Sequence, residues 1–280
     1  MSELFVNALF VFGLIAVFAA FALYVVQKKF EVEQNITAEK IAEILPQANC
    51  GACGKAGCAD FAKACAGADN QTFANLYCPV GGEKVMSKIA EILGFSAKEK
   101  EKRFAVVHCQ GNCEKAPKKF AYDGVKNCRL QSMLSAGENG CPNGCLHSGD
   151  CVKACKFGAI YIDEKTKLPV VDIKKCVACG ACVSACPRGL IELKNFDENG
   201  KLLYVACKNT QIGALALKNC KAACIACSKC AKLSPSFMIE NNLARIVDEK
   251  TAILSAEELV NTCPNKVIVL KEKEISDAEK

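Results

Sequence analysis

The segment CVACGACVSACP, residues 176 to 187, decides how the rest of the sequence is interpreted. Its first three cysteines, Cys176, Cys179 and Cys182, are spaced to wrap one iron-sulfur cubane, and Cys186 follows at the start of a helix. In two-cluster ferredoxins this fourth cysteine binds the other cluster, so two such motifs share their ligands in crossed pairs. Structural zinc prefers two separated cysteine pairs. The segment therefore predicts one half of a ferredoxin-like unit with two clusters.

The other half must lie upstream, and the candidate is CPNGCLHSGDCVKAC at residues 141 to 155. Crossed pairing gives the first cluster its fourth ligand, Cys155, from this segment. The second cluster has Ser148 where its second cysteine is expected, and we take the nearby Cys141 as the replacement. The predicted sets are Cys155, Cys176, Cys179 and Cys182 for one cluster, and Cys141, Cys145, Cys151 and Cys186 for the other.

An internal repeat extends the argument towards the C-terminus. The positions Cys128, Cys141, Cys145, Cys151 and Cys155 recur at identical intervals as Cys207, Cys220, Cys224, Cys230 and Ser234. Agreement at every position without a gap indicates a duplicated unit. In each copy a short apolar run follows, with Ile160 and Ile239 equally placed, and it predicts a β-hairpin.

The second copy keeps one cluster and has lost the other. Crossed pairing joins the cysteine of NTCPNK to those of CIACSKC and predicts the set Cys224, Cys227, Cys230 and Cys263. Ser234 replaces a ligand of the neighbouring cluster, and TAILSAEELVN, which occupies that cluster's loop, contains no cysteine. All the ligands of the neighbour are missing together, so we interpret Ser234 as the remnant of a deleted site.

A separate cysteine group lies nearer the N-terminus, in NCGACGKAGC and YCPVGG. Its glycines allow backbone N–H groups to approach cluster sulfurs, and it predicts a further [4Fe-4S] site with the ligands Cys50, Cys53, Cys58 and Cys78. Zinc is the alternative, because C-x2-C pairs also bind that metal. Helices are predicted on either side, one with Thr37 as its N-cap and Pro46 at its end, and one ending near Gly94.

Six cysteines remain outside these sets: Cys65, Cys109, Cys113, Cys128, Cys207 and Cys220. Three of them, Cys109, Cys113 and Cys128, are candidates for a fifth cluster that Cys141 or Cys207 would complete. The alternative is that they are packed thiols, as we expect for Cys65. The cofactors predicted are therefore at least four [4Fe-4S] clusters, with a fifth if these cysteines are ligands.

Residues 5 to 26 form an uncharged apolar run that is long enough to span roughly 30 Å of hydrocarbon as a helix. A cleaved signal peptide is the alternative, but it would carry basic residues before the run, whereas Lys28 and Lys29 follow it. The positive-inside rule then predicts a single-pass anchor with the rest of the chain in the cytoplasm. In that reducing compartment the 22 cysteines are expected to be metal ligands rather than disulfides.

Composition sets the remaining limits. The net charge of +6 is mild, and residues 84 to 119 carry nine Lys or Arg against four Glu, which indicates either a solvated linker or a dock for anionic lipid or an acidic protein. The sequence has no Ser-His-Asp set, phosphate-binding glycine loop or flavin motif, so we expect no complete catalytic site on this chain. No nucleic-acid partner is expected.

The predicted fold class is α+β, with a single N-terminal transmembrane helix, a small helical iron-sulfur domain and two ferredoxin-like units of the βαβ type. Residues 96 to 107 are charged and then apolar, and we take them as the boundary before the ferredoxin-like units. The predicted domains are 1–30 for the anchor, 31–95 for the first iron-sulfur domain, 96–200 for a unit with two clusters, and 201–280 for a degenerate unit with one.

The order of these motifs resembles a known family. An N-terminal anchor, then CGACGKAGC with CPVGG, then GCLHSGDCVKAC is similar to RnfB, the B subunit of Rnf complexes, in its longer form with an added C-terminal ferredoxin-like unit. The resemblance implies a subunit that accepts electrons from soluble reduced ferredoxin, within a complex of membrane and peripheral subunits in the bacterial cytoplasmic membrane. It also implies that the complex couples ferredoxin:NAD oxidoreduction to translocation of Na⁺ or H⁺, which makes it a translocase.

Two other interpretations are open at this stage. A polyferredoxin-like subunit of another membrane oxidoreductase, such as a hydrogenase or formate-linked complex, would explain the clusters but would lack the segment from Cys50 to Cys78. A membrane-tethered zinc scaffold would explain the cysteines without redox chemistry. The missing cluster of the second copy also raises the question of whether that copy lies on the main electron path.

Overall fold

The computed structural model describes residues 2–29, 35–96, 102–134 and 137–273. The helices are α1 (Ser2–Lys29), α2 (Ile36–Ile44), α3 (Cys58–Ala66), α4 (Asn70–Phe73), α5 (Gly82–Leu93), α6 (Cys128–Leu134), α7 (Asp150–Lys153), α8 (Ala181–Ala185), α9 (Gly213–Asn219), α10 (Lys229–Leu233), α11 (Glu249–Leu254) and α12 (Ala256–Thr262). The strands are β1 (Arg103–Val107), β2 (Ile160–Ile162), β3 (Pro169–Val171), β4 (Ile191–Asn195), β5 (Lys201–Val205), β6 (Phe237–Glu240), β7 (Leu243–Ile246) and β8 (Ile268–Glu272). This content confirms the predicted α+β class.

Helix α1 stands apart from the rest of the described chain. Its segment Phe5–Lys29 is apolar, is not buried by other parts of the protein, and is long enough to cross a membrane. At 1.5 Å per residue such a helix exceeds the hydrocarbon thickness of a bilayer. Lys28 and Lys29 lie in its last turn.

The N-terminal iron-sulfur unit is helical, as predicted, and packs around the buried side chains of Ile41, Phe61 and Ile89. Helix α2 begins one residue earlier than the predicted N-cap Thr37. Its cap is Asn35, whose side-chain oxygen accepts hydrogen bonds from the backbone N–H groups of residues 37 and 38. Asparagine is among the strongest N-cap residues, which explains the earlier start.

Four antiparallel strand pairs build the remaining sheet structure of the described residues. The hairpins β2–β3 and β6–β7 confirm the pair predicted from the repeat. The pairs β1–β4 and β5–β8 join distant segments, and the sequence did not predict them. Strand β1 shows that the apolar end of the expected boundary at residues 96 to 107 is a buried part of the first ferredoxin-like unit.

Strand β5 lies between two cores. Leu202, Tyr204 and Ala206 pack into the core of the first ferredoxin-like unit, beside Phe104 and Ile191. The alternate residues, including Leu203 and Val205, pack into the core of the second unit. Successive strand residues point to opposite faces, so one strand supplies a wall to both cores. The two units are therefore joined through their interiors as well as through the chain.

Helices α11 and α12 occupy the loop in which the second copy lacks its cysteines. Ala252 and Leu259 are fully buried in the core of that unit, and Ala256 is nearly so. Ala252 faces this core from α11, and Ala256 and Leu259 face it from α12. Apolar side chains thus fill the interior where the first copy has a cysteine loop.

Candidate iron-sulfur sites

Twenty of the 22 cysteines, all of which lie in the described residues, line five cavities with four cysteines each. Cavity 1 has Cys50, Cys53, Cys58 and Cys78; cavity 2 has Cys155, Cys176, Cys179 and Cys182; cavity 3 has Cys128, Cys145, Cys151 and Cys186; cavity 4 has Cys109, Cys141, Cys207 and Cys220; cavity 5 has Cys224, Cys227, Cys230 and Cys263. The empty space between the lining residues, including the part open to solvent, is similar in all five, from about 310 Å³ in cavity 1 to about 440 Å³ in cavity 3.

Cavity 1 brings together the four cysteines that spacing grouped near the N-terminus. Gly51 and Gly54 both have positive φ, 72° and 77°, which lets the loop curl tightly between the cysteines. The side chain of Asn49 accepts a hydrogen bond of 2.8 Å from the backbone N–H of Cys58 and so holds the loop against the start of α3. Cys65 lies one to two turns further along α3, fully buried but outside the cavity.

Cavity 2 brings together the set predicted by crossed pairing. The backbone N–H of Ala105, on β1, donates to the Sγ of Cys176 at 3.4 Å, and the N–H of Ala159 donates to the Sγ of Cys155 at the same distance. Ala178 has a φ of 55°, so the loop between the cysteines enters the left-handed region even without glycine. Donors aimed at sulfur are typical of cluster loops.

Cavity 3 differs from the predicted set at one position. The structure brings Cys128, not Cys141, together with Cys145, Cys151 and Cys186. Cys128 is the first residue of α6, a helix absent from the sequence prediction. The hydroxyl of Ser148, at the position where a cysteine was expected, donates to the Gln131 side chain at 2.8 Å.

The duplicated unit explains this exchange. In the second copy Cys227 occupies the position of Ser148 in the first copy, so cavity 5 has four cysteines without a contribution from Cys207. In the first copy that thiol is missing, and Cys128 supplies it. Its counterpart Cys207 is not needed in cavity 5 and lines cavity 4 instead. One loss in the first copy therefore accounts for different roles of equivalent cysteines.

Cavity 4 was anticipated only as a candidate, and with a different membership. Of the three cysteines named for it, Cys109 lines the cavity, Cys128 lines cavity 3, and Cys113 is exposed and lies in neither. The remaining lining thiols come from Cys141, Cys207 and Cys220, in three separate chain segments. Each ferredoxin-like unit contributes two cysteines to this cavity, so no local sequence motif predicts it.

Cavity 5 brings together the predicted C-terminal set. Its loop has two non-glycine residues with positive φ, Ala226 at 52° and Ser228 at 58°, so it curls as the loop of cavity 2 does. The side-chain nitrogen of Asn265 donates to the Ala223 carbonyl at 2.6 Å and ties the loop after α12 to the cysteine loop. Ser234 lies outside the cavity, buried, with its hydroxyl oxygen accepting a 3.3 Å bond from the N–H of Ser236.

The donor chemistry of the cavities suits iron-sulfur clusters. Each cavity is lined by four thiols and by no carboxylate. Among the described residues, no three His, Cys, Asp or Glu side chains are spaced to hold a metal ion between them. In cavity 4 the side-chain nitrogen of Asn209 is buried without a partner among the described residues and is available to a cluster sulfur. Thiols spread around a larger space fit a cluster better than the zinc alternative.

Burial controls the ionisation of these thiols. It raises the pKa of Cys151 and of Cys207 to about 12, and the pKa of Cys182 and of Cys230 to about 11. Neighbouring thiols in the same cavity add to the increase, because like charges oppose one another. Thiolates therefore form here together with the metal that binds them, and cluster insertion releases protons. When bound, such clusters carry single electrons.

Neither histidine in the cysteine-rich loops is placed as a ligand. The backbone N–H of His147 donates to the Sγ of Cys145 at 3.4 Å, and burial lowers the pKa of its ring. His108 is buried, with Nδ1 2.7 Å from the Val205 carbonyl oxygen and Nε2 3.3 Å from a Glu192 oxygen. These contacts hold the first strands of the two units together.

Comparison with known proteins agrees with this geometry. A family described as "4Fe-4S dicluster domain" matches residues 141–190, and one described as "Putative Fe-S cluster" matches residues 45–69. The chain is 38% identical over 265 residues to the B subunit of the Na(+)-translocating ferredoxin:NAD(+) oxidoreductase complex of Acetobacterium woodii, covering 94% of this chain and 76% of the relative. It is 36% identical over 274 residues to the B subunit of the ion-translocating oxidoreductase complex of Methanosarcina acetivorans, covering 97% of this chain and 100% of the relative.

A third relative is the B subunit of the proton-translocating ferredoxin:NAD(+) oxidoreductase complex of Clostridium ljungdahlii, 36% identical over 262 residues, with 93% of this chain and 90% of the relative covered. The chain belongs to the RnfB family. As a member of this family it is an iron-sulfur electron-transfer subunit of a redox complex. The resemblance stated from the motifs is confirmed over nearly the whole chain.

The five cavities of this RnfB-family chain follow one another in a series. The thiols of Cys50 in cavity 1 and Cys179 in cavity 2 are close enough to interact electrostatically, as are those of Cys182 in cavity 2 and Cys151 in cavity 3. The next contacts are hydrogen bonds. The backbone N–H of Cys145 donates to the Sγ of Cys109 at 3.5 Å and joins cavities 3 and 4.

The last contact of the series is similar. The backbone N–H of Cys224, in cavity 5, donates to the Sγ of Cys207, in cavity 4, at 3.4 Å. Each link runs from a cysteine of one cavity to a cysteine of the next. Contacts between cysteines therefore connect each cavity of the RnfB-family chain to the next.

Arg188 is a cation between cavities 3 and 4. Its guanidinium donates to the carbonyl oxygens of Cys141 at 3.2 Å and Gly144 at 2.7 Å, and it also lines cavity 3. Burial lowers the pKa of Arg188, while the thiols of both cavities, those of Cys145 and Cys109 among them, oppose the change. Arginine stays charged in proteins, so it supports negative charge on both sides.

A charged trio ties the two ferredoxin-like units together beside cavity 4. Glu192 on β4 contacts His108 and pairs with Lys208, which follows β5. The hydrogen bond with His108, and then that with Lys208, holds the pKa of Glu192 well below its usual range. The carboxylate is therefore ionised at neutral pH and fixes the strand ends that carry Cys109 and Cys207.

Proposed function

We propose that the chain is the electron-accepting relay of an ion-translocating ferredoxin:NAD oxidoreductase complex. It takes single electrons from reduced ferredoxin and passes them towards partner subunits in the membrane. The observation that carries the proposal is the series of five four-cysteine cavities, since a relay requires redox groups in sequence. The names of two relatives, which include ferredoxin, NAD(+) and translocation of Na(+) or protons, support ferredoxin as the donor, NAD as the acceptor and coupling to ions.

The proposal includes five [4Fe-4S] clusters, with the four cysteines of each cavity as ligands. This retains the sixteen cysteines assigned from the sequence and adds Cys109, Cys128, Cys207 and Cys220. Cys141 moves to the cluster of cavity 4. Cys65 and Cys113 are not ligands, because neither lines a cavity.

Helix α1 anchors the relay in the bacterial cytoplasmic membrane. Lys28 and Lys29 at its end favour a cytoplasmic position for everything that follows. Residues 5 to 27 contain no Asp, Glu, Lys or Arg, so the span offers no carrier for an ion. Translocation of Na⁺ or H⁺ therefore belongs to the other subunits, and this chain supplies the redox half of the translocase.

The division into an anchor at 1–30, a first iron-sulfur domain at 31–95 and ferredoxin-like units at 96–200 and 201–280 is part of the proposal. The three separate cores of the described chain support it. Strand β5 packs into the cores of both ferredoxin-like units, so we do not expect these two units to fold independently. Only residues 30–35 separate α1 from α2, so the unit around cavity 1 is tethered close to the membrane.

Iron and acid-labile sulfide analysis of the full chain, purified anaerobically in mild detergent, tests the proposal. Five clusters of this type give about 20 iron and 20 sulfide per chain. Reduction by purified ferredoxin, followed by EPR during a redox titration, must populate reduced clusters. A chain with about 16 iron would reject the proposed number of five clusters. A fully loaded chain that ferredoxin cannot reduce would reject the proposed donor.

A further inference from the structure

The two ends of the cavity series differ in their exposure. Of the twenty cysteines that line the cavities, all of them in the described residues, Cys227 of cavity 5 alone is exposed. At the other end, cavity 1 belongs to the unit joined to α1 by residues 30–35. A soluble partner can therefore approach a ligand directly at cavity 5, while the membrane anchor restricts approach at cavity 1.

The chain around Cys227 is strongly basic. From residue 199 to residue 239 there are six lysines and no Asp or Glu. The exposed members near the cavity include Lys229, which lines it, and Lys232, one turn further along α10. Lys266 is also exposed, and its backbone N–H donates to the Cys263 carbonyl at 3.1 Å.

These lysines have no carboxylate partners among the described residues. Lys218, Lys221, Lys229, Lys232 and Lys266 form no ion pair there, in contrast to Lys201 and Lys208, which pair with Glu272 and Glu192. Their charge is therefore free to act on an approaching molecule. Unpaired cations of one sign around a site raise the association rate of an oppositely charged partner.

Exposed apolar side chains lie in the same basic stretch of the chain. Ile212 is 63% exposed and Leu215 is 43% exposed, at the start of α9. Gly213 packs against the cysteine loop, because a Cβ built on it would lie 3.1 Å from the Ile225 carbonyl oxygen. A small apolar patch within a charged rim is typical of transient electron-transfer contacts, which bury less surface than stable complexes.

We propose that this surface, formed by Cys227, Ile212, Leu215 and the lysines at 218, 221, 229, 232 and 266, is where a small acidic electron-carrier protein docks. The proposal rests on the proposed function and deepens it by naming the site of electron acceptance. One electron leaves the reduced carrier, which becomes its oxidised form, and reduces the group held by the cavity 5 cysteines by one electron. No bond is formed or broken and no proton is transferred.

The test uses the full chain in detergent, a purified acidic two-cluster ferredoxin, and the variant Lys232→Glu/Lys266→Glu. Neither side chain lines a cavity, so iron content is expected to match that of the original chain. The rate of reduction by limiting ferredoxin in a stopped-flow experiment should fall about tenfold or more at low salt. The difference should shrink as ionic strength rises, because salt screens the exposed charges.

The matched control is Lys84→Glu/Lys88→Glu, which makes the same change of charge on α5, in the unit of cavity 1. It should leave the rate within about twofold. An equal loss in both variants, or none in the first, overturns the docking site while leaving the proposed function intact. Failure of ferredoxin to reduce the unaltered, fully loaded chain would instead overturn the proposed function.

Zero-length carbodiimide crosslinking of ferredoxin carboxylates to the unaltered chain gives a second measurement that does not depend on a variant. Mass spectrometry should locate the crosslinks at the five lysines of the proposed surface. Crosslinks concentrated at Lys84 and Lys88 would overturn the proposal. Crosslinks in the assembled complex from the five lysines to another subunit, with none to ferredoxin, would also overturn it by assigning the surface to a permanent partner.

Discussion

Replacing Cys141 and Cys145 together by alanine separates the two assignments of Cys141. If the two thiols bind one cluster, the double variant loses no more iron than Cys145→Ala alone and keeps about 16 of about 20 iron atoms per chain. The structure puts them in different cavities, so the double variant should lose two clusters and keep about 12. Anaerobic iron and sulfide analysis of the gel-filtered monomer, normalised to protein by amino-acid analysis, measures the difference.

A second double variant serves as the matched control. Cys128 and Cys145 share cavity 3, so Cys128→Ala/Cys145→Ala should retain the same iron as either single variant, about 16. Cys113→Ala removes an exposed thiol outside the cavities and should retain the full content. The reasoning is refuted if the Cys141/Cys145 double variant keeps as much iron as Cys145→Ala, or if the Cys128/Cys145 double variant loses a second cluster.

Three further outcomes are expected. Arg188→Gln should lower the midpoint potentials of the clusters in cavities 3 and 4 by on the order of 100 mV, taking an effective dielectric constant of about 20 and a separation of roughly 7 Å, because a nearby cation favours the added electron; equal shifts of all clusters in an EPR redox titration would contradict this. Ser234→Ala should keep the iron content and lower stability by about 1 kcal/mol through loss of its hydrogen bond to Ser236, whereas loss of four iron atoms would indicate serine ligation. Burial lowers the pKa of Lys271, so the charged form of this side chain opposes folding at neutral pH. Lys271→Met should therefore raise the melting temperature at pH 7, and thermal scans should show this increase becoming smaller as the pH approaches the ordinary lysine pKa of roughly 10.4. An increase that stays constant with pH would contradict burial of the charge as its cause.

Spacing within one loop predicted which cysteines the structure brings together in cavities 1, 2 and 5. In each case three thiols lie in one short segment; crossed pairing supplies the fourth in cavities 2 and 5, and the nearby segment YCPVGG supplies it in cavity 1. One cysteine of cavity 3 was predicted wrongly, because the tertiary structure determines which cysteine takes the place of Ser148. Helix α6 brings Cys128 close, although Cys141 is nearer in sequence.

Cavity 4 could not be predicted from spacing, because its cysteines come from four separate segments. The available signal was the recurrence of Cys128 as Cys207 and of Cys141 as Cys220, which indicated a role without giving the partners. The strand pairs β1–β4 and β5–β8 were not predicted for the same reason. Their hydrogen bonds join segments far apart in sequence, and alternation within a five-residue strand does not specify its partner.

The shared strand β5 also bears on how this chain has evolved. A domain that is joined to its neighbour only by a linker can be deleted after it loses a cofactor, and the stability of the neighbour is unchanged. Here, removal of the second unit, residues 201–280, would also remove Leu202 and Tyr204 of β5, and the core of the first unit around Phe104 and Ile191 would lose one of its walls. In the second unit, which lacks the corresponding cysteine loop, Ala252, Ala256 and Leu259 fill the interior. Sharing a strand thus makes the absence of one cysteine loop tolerable and the loss of the whole unit costly.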